Sequence, residues 1–153
     1  MMTALLSLVF FGQTANAAIL WWDGNASTTN SASDNSSTTG MNWLSGGNWD
    51  DGNTSGALGS WTAGNSAIFG GSPASQTVTA GTLTIGNLTF GGGPQGATSG
   101  STPAYTISGG TLTLSGTTMT VNTPTTVSST LAGAGASLTK SGSGSLILSG
   151  NNT

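Results

Sequence analysis

The sequence predicts an all-β chain that coils as a solenoid, with an antiparallel β-sandwich as the competing architecture. Three observations predict this. About half of the 153 residues are Gly, Thr or Ser, a mixture poor in helix formers, because Gly costs roughly 1 kcal/mol against Ala inside a helix and Thr is stiff at χ1. From about residue 76 onward Leu, Ile and Val alternate with Thr, the period of two that puts apolar side chains on one face of a strand and hydroxyls on the other. A core of the form Gly-(Ser or Thr)-Leu-x-(Ile or Leu) recurs at residues 81, 110 and 144, as expected of units that bury an apolar face on the next unit.

The first seventeen residues read as a signal peptide. Ala4-Leu5-Leu6-Ser7-Leu8-Val9-Phe10-Phe11 is an apolar run too short to span a bilayer, and Ala15-Asn16-Ala17 has the small-x-small form of a cleavage site. The mature chain then begins near Ala18 and is exported. The run lacks the basic residue that normally precedes it, which a frame starting further upstream would supply.

Residues 18–75 differ in composition from the remainder. All five Trp (Trp21, Trp22, Trp43, Trp49, Trp61) and all four Asp (Asp23, Asp34, Asp50, Asp51) lie here. Trp22-Asp23-Gly24-Asn25 and Trp49-Asp50-Asp51-Gly52-Asn53 form a partial duplication, each a strand end anchored by Trp that runs into a Gly/Asn turn. Residues 26–40 have no apolar period and predict a solvated loop. The region is expected to cap the open end of the solenoid with large apolar area.

Residues 76–153 supply the coils. Val78-Thr79-Ala80, Leu83-Thr84-Ile85, Leu88-Thr89-Phe90, Tyr105-Thr106-Ile107, Leu112-Thr113-Leu114, Met119-Thr120-Val121 and a segment around Val127 each predict a short strand. Residues 138–153 predict two more, paired with each other across a Gly/Ser turn. Segments of three to five residues that resemble rather than complement one another favour stacking over a sandwich. At about 20–30 residues per coil, three or four coils are expected.

Leu138-Thr139-Lys140-Ser141-Gly142-Ser143-Gly144-Ser145-Leu146-Ile147-Leu148-Ser149-Gly150-Asn151-Asn152-Thr153 is similar to the autotransporter-associated β-strand repeat, also called the passenger-associated transport repeat. Leu138, Lys140, Gly142, Gly144, Leu146, Leu148, Ser149, Gly150, Asn152 and Thr153 fall on that family's pattern, and Ser145 stands where Thr is usual. The Trp-rich stretch, with Asn42-Trp43 and Gly47-Asn48-Trp49, resembles the leader found upstream of such repeats. The resemblance implies a right-handed parallel β-helix in a secreted or surface-exposed bacterial passenger, at the cell exterior or outer-membrane surface. It also implies a part in export and folding, with the continuation of the same β-helix or a translocator barrel as partner. The chain is read as the N-terminal piece of a longer protein or a truncated frame.

The side chains left for chemistry are few. The chain has one Lys (Lys140), no Cys and no His, a net charge of −3, and neither Glu nor Arg. No basic patch is available for phosphates, so nucleic acid is not an expected partner. Asp50 and Asp51 are adjacent and in extended backbone point to opposite faces, so they cannot flank one glycosidic bond. No cofactor or metal is expected, since thiolate sites need Cys and the calcium-loop spacing of Asp is missing. The expectation is a non-enzyme, which disfavours a β-helix polysaccharide lyase. The alternative is an adhesin or glycan-binding module that stacks sugar rings on Trp43, Trp49 and Trp61.

Overall fold

The computed structural model describes residues 17–22, 41–51, 58–70, 75–91, 104–116, 118–133 and 137–153. Residues 1–16, which hold most of the expected signal segment and Ala15 of the expected cleavage site, and residues 26–40, expected as a solvated loop, lie outside the described residues; Ala17 is exposed and outside any strand. The described residues hold fifteen strands and no helix: β1 (Ile19–Trp22), β2 (Met41–Asn42), β3 (Trp49–Asp50), β4 (Leu58–Gly59), β5 (Ser66–Phe69), β6 (Gln76–Thr79), β7 (Leu83–Ile85), β8 (Leu88–Phe90), β9 (Tyr105–Ser108), β10 (Thr111–Leu114), β11 (Thr118–Val121), β12 (Thr125–Val127), β13 (Thr130–Ala132), β14 (Thr139–Ser141) and β15 (Leu146–Leu148).

These strands form three sheets, ordered β14-β11-β8-β5-β1-β3-β4, β15-β12-β9-β6-β2 and β13-β10-β7. From β5 onward the chain visits the sheets in rotation, and each strand pairs in parallel with the strand three places later, as β5 does with β8 and β8 with β11. Among the described residues antiparallel pairing is confined to β1 with β3 and β3 with β4. This mostly parallel, all-β arrangement is compatible with a β-helix.

The alternation in sequence becomes columns in space. Partners in a parallel register point to the same side, so Trp22, Phe69, Phe90 and Val121 share one interior column, and Val78, Ile107 and Val127 another. All seven side chains are fully buried. Burying a Val or Phe side chain contributes about 1.5–3 kcal/mol, so a few residues per coil sustain a thin core. On the outer face Thr77, Thr106 and Thr126 line up, as do Thr89, Thr120 and Ser141.

Three expectations are corrected by the pairing. The recurring Gly-x-Leu core at 81 and 110 marks equivalent strands, with Leu83 opposite Leu112 and Ile85 opposite Leu114. The copy at 144 does not: β15 pairs with β12 in a different sheet, and the strand equivalent to β7 and β10 is β13. Nor do the two strands across the Gly/Ser turn of residues 142–145 pair with each other, since β14 lies on β11 and β15 on β12. The turn is a corner between sheets. Finally, parallel stacking begins before residue 76, because β1 pairs with β5 and β5 with β8. Ser66-Ala67-Ile68-Phe69 carries apolar residues on both faces, which hides its period in the sequence.

Candidate functional site

Two features concentrate what the sequence singled out, the Trp cluster and the closing coil. In the first, Trp22, Trp43 and Trp49 pack around Phe69 and Trp61 packs on Trp43 and Trp49, the indole pairs being edge to face or tilted. Ring centroids of Trp22 and Trp49, Trp43 and Trp49, and Trp43 and Trp61 are each 5.1 Å apart, and Trp49 and Trp61 are at 4.8 Å. Phe69 touches Trp22, Trp43 and Trp49, and stacks on Phe90 at 5.1 Å with planes 13° apart. The cluster thus runs into the interior aromatic column. Such pairs contribute about 0.5–1.5 kcal/mol each beyond the area they bury.

The polar edges are mostly tied into the fold. Trp22 Nε1 donates to Gln76 Oε1 at 3.0 Å, Trp49 Nε1 to the Trp43 carbonyl at 2.8 Å, and Trp61 Nε1 to the Thr84 carbonyl at 3.3 Å. The Tyr105 hydroxyl donates to the Gly70 carbonyl at 3.0 Å. Trp43 Nε1 has no acceptor among the described residues. Trp43 and Trp49 are 0% exposed, and Trp61 is half-buried. A sugar needs an open aromatic face, and Trp43 and Trp49 offer none here because their faces are spent on one another.

Asp50 is 2% exposed while its neighbour Asp51 faces solvent, so the two carboxylates share no cleft; Asp23 and Asp34 lie outside the described residues. Among the described residues no three His, Cys, Asp or Glu side chains come together as a metal set. No helix among them is long and apolar enough to cross a membrane.

The residues that carry the repeat resemblance lie on and beside β14 and β15, at one end of the two larger sheets. Leu138 packs half-buried against the core, and so does Leu146. Leu148 is 41% exposed, and its neighbour Ile147 57%. Ser149 Oγ bonds Ser128 Oγ at 3.0 Å, and Ser141 Oγ bonds Thr120 Oγ1 at 3.0 Å, both across 21 residues. Gly142 turns the corner after β14 with φ of 79°; Gly144 sits over the Thr123 backbone and Gly150 over Ser129. Asn152 Oδ1 accepts the Leu131 N–H at 2.9 Å, and the Thr153 N–H donates to the Leu131 carbonyl at 3.0 Å. The closing Asn152-Thr153 segment is thereby tied to Leu131 at the edge of β13 without forming a strand.

Lys140 holds the least expected position. It lies opposite Met119, in the column of Leu20, Ala67, Leu88 and Met119. Those four are buried; Lys140 is exposed, and its Nζ donates to the Gly142 carbonyl at 2.8 Å. It is solvent-facing although its register is that of an inward residue, because among the described residues no strand pairs on the far side of β14.

One set of functional side chains escaped the sequence reading. Asn87 Oδ1 accepts the Thr118 N–H at 3.1 Å, Asn122 Nδ2 donates to the Gly91 carbonyl at 2.8 Å, and Asn65 Oδ1 accepts the Ala18 N–H at 2.9 Å. With Asn152 they tie one coil to the next at the corners, where strand-to-strand bonds stop. A signal existed for two of the four, Asn65 and Asn87, each of which follows a Gly (Gly64, Gly86); Asn122 follows Val121 and Asn152 follows Asn151, with no such step.

Comparison with known proteins gives one relative of note. The chain is similar to the adhesin BmaC autotransporter of Brucella suis biovar 1 (strain 1330), 38% identical over 157 residues. The match covers 98% of this chain and 4% of that protein, so the chain spans a small part of the curated relative. No family model matches, and no solved structure does.

Proposed function

We propose that this chain is a non-catalytic structural segment of a bacterial autotransporter-like passenger displayed at the cell surface, whose task is to help the passenger leave the cell and fold. The reading takes residues 1–17 as a signal peptide and the chain from Ala18 on as a right-handed parallel β-helix, its first strands β1 and β5 already stacked in parallel and the Trp cluster serving as an aromatic cap. The observation that carries it is the in-register stacking of like strands at a 21-residue offset, Ala67 on Leu88 and Met119 on Lys140. Each coil added buries apolar side chains and pairs backbone on the coil before it, so folding outside the cell can draw the chain outward. Similarity to an autotransporter supports the setting. The scarcity of acid, base and nucleophile supports a role without chemistry.

The test is display. The chain, joined to an outer-membrane translocator barrel, is followed to the cell surface by accessibility to external protease. Replacing Ile107 and Val127 by Asp puts charge into one interior column and should slow surface appearance several-fold while leaving synthesis unchanged. Equal rates for both chains would overturn the role in export.

Adhesion is the second reading, favoured by the similarity to an adhesin autotransporter. Of the three Trp first considered for it, Trp61 alone keeps some exposure among the described residues.

A further inference from the structure

We propose that the C-terminal end of the described stack is a docking face for one further coil of polypeptide, and that Lys140 decides what that coil carries opposite it. The inference rests on the coil-on-coil reading above. Three observations carry it.

The face continues an interface already present. β13, β14 and β15 each pair on one side with β10, β11 and β12, and on the other side no strand among the described residues follows them. The hydroxyl pairs Thr120–Ser141 and Ser128–Ser149 repeat at 21 residues, so the spacing a covering coil must keep is already set. The face is also apolar on one side only. Leu114, Leu131, Leu138 and Leu148 line a hollow of about 260 Å³, with Asn152 and Thr153 also in its wall, and Ile147, next to Leu148 in the chain, is exposed.

The opposite side of the coil is polar. The interior column that runs Leu20, Ala67, Leu88, Met119 ends in Lys140, and the column Trp22, Phe69, Phe90, Val121 ends at Gly142. A strand laid on β14 would set its inward residue about 4.8 Å above Lys140. An ammonium group covered in this way loses water, and the two carbonyls it reaches, those of Ser141 and Gly142, are partial compensation. A second cation stacked on it would be repelled in a poorly screened site, and a carboxylate would be attracted. The occupant is therefore a coil with apolar residues over Leu146 and Leu148 and an acidic or neutral residue, never a basic one, over Lys140. A register slip by one residue would move its apolar set to the outer face.

The experiment lengthens the full chain after Thr153 by a copy of residues 133–153, either unchanged or with Glu in place of the Lys that the copy brings opposite Lys140. Amide exchange is followed at β13, β14 and β15. The acidic copy should slow exchange in β14 at least tenfold relative to the unextended chain, and the unchanged copy by several-fold less. In the Lys140→Met chain the advantage of the acidic copy should disappear. If the unchanged copy protects β14 as well as the acidic one, the selecting role of Lys140 is overturned; if neither copy protects β13 to β15, docking itself is. Loss of the coil-on-coil reading would show separately, as unprotected amides in β5, β8 and β11 of the unextended chain.

Discussion

At the scale of single residues, the fold is set by where side chains must be absent as much as by where they are present. Gly142 has φ of 79°, and a Cβ there would press on the Val121 carbonyl and come within 2.6 Å of Asn122 Oδ1, both on the coil below. Gly47 has a similar φ of 84° with nothing within 4 Å of the same position. The pair separates backbone preference from close approach. Replacing Gly47 by Ala should cost about 1 kcal/mol, the penalty for a left-handed conformation. Replacing Gly142 by Ala should cost roughly 2–3 kcal/mol, because the coils must also part. Urea midpoints of the two variants measure this, and equal shifts would mean that the corner is not a contact between coils. The same contrast explains why the Gly spacing of residues 142–150 is recognisable as a motif: its glycines are where one coil lies on another.

At the scale of elements, from β5 onward stacked strands are offset by about 21 residues except across one longer connection. Thr120 and Ser141 are bonded at a separation of 21, Ser129 and Gly109 at 20, but Asn122 and Gly91 at 31. The extra length lies between β8 and β9, and it produces the 29-residue spacing of the Gly-x-Leu cores at 81 and 110. Extra loop length costs little, since doubling a loop adds only about 0.6 kcal/mol of closure entropy. Removing about nine residues from 92–103 should therefore leave the pairing of β8 with β11 intact and move the melting midpoint by only a few degrees. Collapse of the fold on that deletion would show that the segment is part of the stack. The spacing also marks what was legible in the sequence. Strand positions from Val78 to Val127 could be read because Leu, Ile and Val alternate with Thr on a surface buried on one side. The sheet to which each belongs could not, since Gly144-Ser145-Leu146 and Gly110-Thr111-Leu112 obey the same local chemistry at different corners. Burial of Trp43 and Trp49 was equally hidden, because an indole before a polar turn suits a cap and a sugar platform alike.

For the whole molecule, stability should grade along the stack. The N-terminal end holds Trp22, Trp43 and Trp49 packed on Phe69, and Phe69 stacked on Phe90, all of them buried. The last coil presents only exposed positions in β14 and only Leu146 half-buried in β15. In a stack where each coil touches its neighbours, local stability is a sum of coil and interface terms, and a coil covered on one side opens at a lower free energy than one covered on both. Amides of β5, β8 and β9 should then exchange most slowly, those of β11 and β12 faster, and those of β14 and β15 fastest. Removing the aromatic anchor inverts the expectation at the other end. Trp49→Ala deletes a side chain that touches four rings, those of Trp22, Trp43, Trp61 and Phe69, and a hydrogen bond to the Trp43 carbonyl, a loss of roughly 3–5 kcal/mol. It should raise exchange in β1, β3 and β5 first and leave the ordering of β11 to β15 unchanged. Uniform acceleration of every strand would instead mean that the chain unfolds as a single unit, and that growth coil by coil is not how it is built.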